Sequence, residues 1–138
     1  MARPTGSSAL SLPCAPGKQK SEEGDVMKLV TAVVKLDKLD EVVHAVAAAG
    51  GRGLTATEVR GFGQEYGHHA GDRPADTTAL VLPKLRIEVL TSNELAWPVA
   101  EAIAKAVSTG AIGDGKIWIS PVDGALRVRT GERDLAAL

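Results

Sequence analysis

The sequence predicts an α+β domain of the ferredoxin-like type, a βαββαβ chain in which two helices cover one face of an antiparallel sheet. Three observations support this fold. Two segments have apolar residues at helical spacing, strand-like segments flank both of them, and the order is strand, helix, strand, strand, helix, strand, followed by a short extended segment. With 138 residues, 44% of them hydrophobic, the chain fits one domain of ordinary size.

The first 26 residues are rich in Pro, Gly, Ser and charge and contain no apolar run of the length of a signal sequence or a membrane span. We expect a disordered tail at 1–26 and one folded domain at 27–138, without direct insertion into a membrane. Met27 stands where regular patterning begins, so it is also an alternative translation start.

The first half of the domain is expected to form a strand, a helix and a second strand. Residues 28–34 are a short β-branched run, which is typical of a buried strand. Segment 36–51 has helical spacing and closes with two glycines, as helices often do, and 53–61 follows as a strand. The apolar positions of this helix are Leu39, Val42, Val43, Val46 and Ala47.

The second half begins after a Gly-rich polar stretch, 62–78. In 84–89, Leu85, Ile87 and Val89 alternate with charged residues, which predicts a strand with one buried face. A helix then starts with Thr91 or Ser92 as its N-cap. Its apolar positions are Leu95, Val99, Ile103 and Val107.

Pro98 is expected to bend this second helix or to delay its first turn, because proline lacks the backbone N–H. Residues 116–120 predict a further strand. Residues 125–130 predict a last, short extended segment, in which Arg127 and Arg129 project from one face and the apolar residues from the other.

Composition argues against some classes of binding partner and indicates a cellular compartment. The formal net charge is −1 and aromatic residues make up 3% of the chain, so neither a basic surface nor stacking platforms favour binding to nucleic acid. The single cysteine, Cys14, cannot form an intramolecular disulfide, which is consistent with a reducing cytoplasm.

The segment TGAIGDGKIWI, 109–119, is similar to a Walker A loop in the spacing of Gly110, Gly115 and Lys116. A P-loop needs Ser or Thr after the lysine to hold magnesium, and a helix must follow. Here Ile117 follows and opens a β-like run, so the segment is not a P-loop.

The same segment can nevertheless bind an anion. Backbone N–H groups at 113–115 can form a concavity, Lys116 adds a positive charge, and Arg127 and Arg129 offer bidentate donors. A polyphosphate fits this combination. The alternative is a tight turn followed by a solvated lysine and two surface arginines, and spacing alone leaves both interpretations open.

Several motifs together resemble the PII family of nitrogen-regulatory signal proteins. They are GLTATEVRGFG, LPKLRIEV, TGAIGDGKIWISP and ALRVRTGE, in this order, and the resemblance extends from Met27 to Leu138. It implies a cytoplasmic homotrimer that binds ATP or ADP in clefts between subunits and senses the nucleotide without being an enzyme.

The resemblance also assigns residues to the ligand. Positions matching the family's phosphate-binding set and loop base are Gly63, Gln64, Gly113, Asp114, Gly115, Lys116, Arg127 and Arg129. Thr55 and Glu88 match positions on the adenosine side.

Residues of about 62–82 resemble the family's T-loop, which implies docking on a membrane transporter, of the ammonium type or another, or on a metabolic enzyme. Glu65 and Lys84 match the positions that hold Mg²⁺ and 2-oxoglutarate. Glu65 keeps an oxygen for Mg²⁺ but replaces a neutral glutamine with a negative charge, so we expect weakened 2-oxoglutarate binding. Thr77 replaces the tyrosine that many relatives modify, so we expect no such modification.

Other interpretations stay open from the sequence. His68 and His69, near Asp72 and Asp76, suit a transition metal, although adjacent histidines in a polar loop are more often only solvated. The altered loop also suits a variant linked to inorganic carbon, as bicarbonate, or to metal uptake. A slow ATPase is a further alternative, but the sequence shows no convincing catalytic base.

Overall fold

The structure, a computed structural model, describes residues 26–63 and 81–138. It contains β1 (Met27–Lys35), α1 (Leu39–Ala48), β2 (Thr55–Gly61), β3 (Leu82–Ser92), α2 (Asn93–Val107) and β4 (Gly115–Val122). Single 3-10 turns occupy Leu36–Lys38 and Asp134–Ala137. The βαββαβ order and the ferredoxin-like α+β fold are confirmed. Within the described ranges, no helix combines the length and apolarity needed to cross a membrane.

The four strands form one antiparallel sheet in the order β2-β3-β1-β4. β1 is therefore central, which suits its apolar, β-branched sequence. Val30 lies opposite Val89 on one side and opposite Ile119 on the other. This register brings the end of β1 at Lys35 next to Lys84 and next to the start of β4.

The core lies between one face of the sheet and the two helices. The predicted alternation in β3 is confirmed, because Leu85, Ile87 and Val89 are buried. Each fully buried aliphatic side chain of this kind stabilises the fold by about 1.5–3 kcal/mol. The remaining core residues are Val30, Ala32, Val34, Val42, Val46, Ala96, Val99, Ala100, Ile103 and Val107.

Helix α1 ends where the glycine pair predicts. Gly50 has a φ of +97°, its N–H donates to the Ala47 carbonyl at 3.2 Å, and the Gly51 N–H donates to the Val46 carbonyl at 2.9 Å. These are the two bonds of a Schellman motif. The helix starts at Leu39, later than predicted, because the preceding 3-10 turn takes up the first residues.

Helix α2 has Ser92 as its N-cap, as predicted, but the Ser92 side chain makes no capping bond. The Asn93 N–H donates instead to the Val26 carbonyl at 3.0 Å. The helix begins before Pro98 and continues through it, so the predicted delay of the first turn is wrong. Pro98 is the sixth residue of α2 and supplies no N–H for the carbonyl of Glu94. Its buried neighbours Val99 and Ala100 hold the helix on the sheet in spite of this lost bond.

The predicted extended segment at 125–130 is also wrong. The chain turns there, since the Arg127 N–H donates to the Glu132 carbonyl at 2.9 Å and the Gly131 N–H donates to the Arg127 carbonyl at 2.8 Å. One isolated bridge joins Leu126 to Arg133. Val128 is 97% exposed, so the alternation of apolar and charged residues does not correspond to a buried face.

Candidate functional site

The turn between α2 and β4 has glycines at positions where its backbone conformation requires them. Gly113 and Gly115 have φ values of +95° and +118°, which favour glycine. Gly115 also leaves no room for a side chain against β1. The turn therefore presents backbone close to the end of the sheet, as an anion-binding concavity needs.

The Asp114 carboxylate organises this turn from within. It accepts hydrogen bonds from the Thr109 hydroxyl, the Thr109 N–H at 2.8 Å and the Gly110 N–H at 3.0 Å. These bonds, that of the Thr109 hydroxyl foremost, together with Lys35 at 3.5 Å, lower the pKa of Asp114 to about 2. The Asp114 side chain is bonded within the turn. The contribution to ligand binding that we expect from Asp114 is therefore a hydrogen bond from its backbone N–H.

A cleft of about 460 Å³ lies beside the turn, and we call it the glycine-loop cleft. It brings together five residues that the sequence assigns to nucleotide or effector: Gly63, Lys84, Gly113, Gly115 and Lys116. Val33, Gly61, Phe62 and Ile112 complete its lining. Two lysines at an apolar-walled cleft favour an anionic ligand.

Sequence reasoning missed Phe62 and Ile112 as part of this cleft. Both are apolar yet exposed, at 66% and 46%. Their signal in the sequence is that each is an apolar residue next to a glycine in a Gly-rich segment outside the predicted helices and strands.

A second candidate region lies further along β3. Thr55 is the first residue of β2 and pairs with Glu88, so the two residues predicted for the adenosine side are direct cross-strand neighbours. β2 extends no further, and the backbone of 90–92 therefore has no β2 partner. A strand edge of this kind offers N–H and C=O groups that can read the edge of a base.

A cavity of about 180 Å³ adjoins this edge, and we call it the strand-edge cavity. Its lining residues are Gly50, Gly51, Arg52, Leu90, Thr91, Ser92, Leu95, Leu135 and Leu138. The hydroxyl of Thr91 is buried and has no hydrogen-bond partner in the part of the chain that the structure describes. Such a group costs about 1–3 kcal/mol when it is left unpaired.

Arg127 lies near the strand-edge cavity, because its guanidinium contacts the backbone oxygen of Leu138, a residue that lines this cavity. Nη2 donates to that oxygen at 2.6 Å, and Nη1 lies 3.6 Å from Oε1 of Glu132. Arg129 is exposed in the turn. The prediction that the two arginines share one face of an extended segment is wrong, because the chain turns between them.

The predicted ligand-binding residues thus fall into two separate groups. Lys84 belongs to the glycine-loop cleft, whereas Glu88, also on β3, pairs with Thr55 at the strand edge. Four residues separate Lys84 from Glu88, which corresponds to about 13 Å along a strand. None of the described residues predicted for the ligand lines the strand-edge cavity. We call the glycine-loop cleft and the strand edge the two half-sites.

Some predicted residues lie outside the described part of the chain. They are Gln64, Glu65, His68, His69 and Thr77. The predictions about 2-oxoglutarate, Mg²⁺, tyrosine replacement and a histidine metal site therefore stay predictions. Among residues 26–63 and 81–138, no cluster of three or more His, Cys, Asp or Glu side chains could hold a metal ion.

Comparison with known proteins gives consistent matches. The family model for nitrogen regulatory protein P-II matches residues 27–132. Nitrogen regulatory protein P-II of Rhizobium etli is 48% identical over 112 residues, which are 81% of this chain and 100% of the relative. Nitrogen regulatory protein GlnK of Escherichia coli K12 is 44% identical over 112 residues, with the same shares. The crystal structure of Arabidopsis thaliana PII bound to citrate has a TM-score of 0.68 and 30% identity, covering 86% of this chain and 98% of that chain.

Proposed function

The chain belongs to the nitrogen regulatory protein P-II family and is a regulator of the kind that acts in nitrogen regulation, and from this premise we propose how it works. It binds ATP or ADP between the subunits of a homotrimer. The bound nucleotide sets the conformation of the loop at about 62–82, which docks on a membrane transporter or a metabolic enzyme. The nucleotide is sensed and not consumed.

The observation on which this proposal depends is the separation of the two half-sites on β3. The glycine-loop cleft has the lysines and glycines suited to phosphates, and the strand edge with Thr55 and Glu88 is suited to an adenosine. Lys84 and Glu88 lie about 13 Å apart on β3, and no described residue lines both the glycine-loop cleft and the strand-edge cavity, so the two groups do not share one pocket of a single chain. A neighbouring copy that supplies the second half-site removes this difficulty.

The sheet face opposite the helices is suited to contact with other copies. Trp118 and Leu90 are 44% and 37% exposed there, beside an Arg86–Glu88 ion pair of 2.8 Å. Covering these side chains in a closed trimer adds apolar burial to a chain of only 138 residues.

The relatives support an anionic ligand. The Arabidopsis PII structure is bound to citrate, a compact polycarboxylate. Phosphates make the same demand for positive charge and N–H donors, which Lys84, Lys116 and the turn at 113–115 supply in the glycine-loop cleft. The citrate structure supports the ligand class, and ATP or ADP is our inference.

The position of the loop roots supports control by the ligand. Gly61 and Leu82 are paired in the β2–β3 register, so the chain leaves and re-enters the sheet at neighbouring points. Phe62 and Gly63, which follow Gly61 directly, line the glycine-loop cleft. A ligand in the cleft therefore touches the base of the loop and can favour one loop conformation over another.

The chemistry of the turn favours sensing over hydrolysis. Asp114 is the acidic residue of the turn, and its hydrogen bonds hold its pKa at about 2. A general base works best with a pKa near the working pH, so this carboxylate is poorly suited to activate a water molecule.

Titration calorimetry tests the proposal with ATP, ADP and AMP, each with and without Mg²⁺. We expect ATP and ADP to bind and AMP, which lacks most of the phosphate charge, to bind weakly. Lys116→Ala should weaken ATP binding about tenfold, while Lys105→Ala, an exposed lysine on α2, should leave it unchanged. Light scattering must show the same trimer for all three proteins. Absence of binding, or equal binding by Lys116→Ala and wild type, would refute the proposal.

A further inference from the structure

The segment 134–138 is held over the strand-edge cavity by two arginines. The Leu138 backbone oxygen accepts hydrogen bonds from Nη2 of Arg127 at 2.6 Å and from Nη1 of Arg52 at 3.5 Å. Two guanidinium groups therefore converge on one oxygen of Leu138. A phosphate, which carries several acceptor oxygens, could compete for the same donors.

The same segment also fills the cavity with apolar side chains. Leu135 and Leu138 both line it, next to Leu90 and Leu95. Leu135 is 48% exposed, so it covers the cavity without belonging to the core. A weakly buried side chain of this kind can leave its place at small cost.

The near end of the segment is anchored. The Asp134 N–H donates to the Ala125 carbonyl at 2.9 Å, and Oδ1 of Asp134 accepts from the Ala125 N–H at 3.3 Å. The segment is a single 3-10 turn, and beyond Asp134 it accepts side-chain hydrogen bonds from Arg52 and Arg127. The anchor gives the segment a fixed pivot, about which residues 135–138 can move as a flap.

We propose that residues 135–138 are a built-in competitor of the nucleotide, an intramolecular flap that must leave the strand-edge cavity and release Arg127 before the ligand binds. This inference rests on the proposed nucleotide function. In the closed state Nη2 of Arg127 donates to Leu138 and Nη1 lies beside the Glu132 carboxylate, so an arriving phosphate competes with both acceptors for these nitrogens.

Arg52 makes the flap separable from the nucleotide site. It holds Leu138 but belongs to none of the predicted phosphate or adenosine positions. Leu135 likewise fills the cavity without offering a polar contact. Arg52→Ala and Leu135→Ala therefore weaken the closed state and leave the proposed ligand contacts in place.

The test compares ATP affinities by calorimetry for the wild type, Arg52→Ala and Leu135→Ala. Both variants should bind ATP more tightly, by about threefold to tenfold, because less free energy is lost in moving residues 135–138 out of the cavity. Lys105→Ala controls for the lost charge, and Leu39→Ala controls for a lost exposed leucine, since Leu39 is 37% exposed on α1. Neither control should change the affinity.

Hydrogen exchange on the full chain supplies the second readout. Saturating ATP should speed amide exchange in 135–138 and slow it in 113–116. Tight binding of ATP together with unchanged or slower exchange in 135–138 would overturn the flap and leave the nucleotide function intact. Unchanged or weaker ATP binding by both variants would also overturn the flap and leave the nucleotide function intact. If neither wild type nor variants bind ATP, the nucleotide function has failed and the flap falls with it.

Discussion

Gly115 lies directly against the backbone of Val33. A Cβ atom on Gly115 would stand 2.1 Å from the Val33 carbonyl oxygen, and the φ of Gly115 is +118°. β4 can begin beside the end of β1 only because this residue has no side chain. The proposed phosphate site is thus positioned by a contact between two strands.

We expect Gly115→Ala to destabilise the protein by about 1–3 kcal/mol from backbone strain, with the clash added to it. Urea unfolding at one fixed protein concentration measures the change. Gly110→Ala is the matched control, because Gly110 also has a positive φ, +77°, but has no atom within 4 Å of an added Cβ. Equal losses for the two variants would show that the approach to Val33 is unimportant.

Mixed trimers can show that two copies build one site. Lys116→Ala and Arg127→Ala each damage a different half-site, so each homotrimer should bind ATP about tenfold more weakly than wild type. In a trimer that contains both variants, one of the interfaces joins an intact Lys116 to an intact Arg127. We expect calorimetry of purified mixed trimers to reveal one tight site per trimer. If no tight site returns, both residues act within the same chain or outside the site.

The turn at 109–115 should respond to pH through Asp114. Its folded-state pKa of about 2 lies below the ordinary 3.8, chiefly because of the Thr109 hydroxyl. The carboxylate therefore stabilises the turn fully above pH 3.8, and this contribution is lost as the pH falls toward 2. Amide NMR shifts of Thr109 and Gly110 should report this transition.

Thr109→Val tests the cause of that shift. Without the hydroxyl, the midpoint of the Gly110 amide titration should move up toward 3.8, the ordinary pKa of an aspartate. Asp114→Asn should abolish the transition altogether. A midpoint that stays near 2 in Thr109→Val would assign the low pKa to the backbone amides and Lys35 instead.

Glu65→Gln addresses the second effector. A like-charge pair at ~4 Å costs about 1–4 kcal/mol, depending on the local dielectric. Removing the negative charge should therefore raise the affinity for 2-oxoglutarate, measured in the presence of Mg²⁺ and ATP, about tenfold or more. Glu101→Gln, on α2, is a control for the loss of an exposed carboxylate. An unchanged affinity would contradict the repulsion argument.

Much of the fold could be predicted because periodicity reports burial. The alternation around Ile87 and the four-residue spacing of Val99 and Ile103 correspond to side chains that face the core. The segment around Val128 has the same alternation without a core to face. Sequence pattern cannot distinguish a buried strand from this turn, because the backbone hydrogen bonds of Arg127 with Glu132 and Gly131 depend on local turn geometry.

The candidate site was predictable in its residue types but not in its arrangement. Lys116 and Gly115 were expected beside the ligand, and they line the glycine-loop cleft. The hydrogen bonding of the Asp114 carboxylate within the turn could not be predicted, because it depends on the position of Thr109 five residues earlier. The contact of Arg127 with Leu138 joins parts of the chain whose proximity no local pattern encodes.

The outer strands of the sheet, β2 and β4, have sequences that oppose further growth by strand addition. Glu58 and Arg60 are exposed charged residues on β2, and Pro121 on β4 supplies no N–H for another strand. Edge-to-edge polymerisation into fibres is therefore disfavoured. In the proposed trimer, association would instead use the broad face around Trp118, where assembly can close after a few copies.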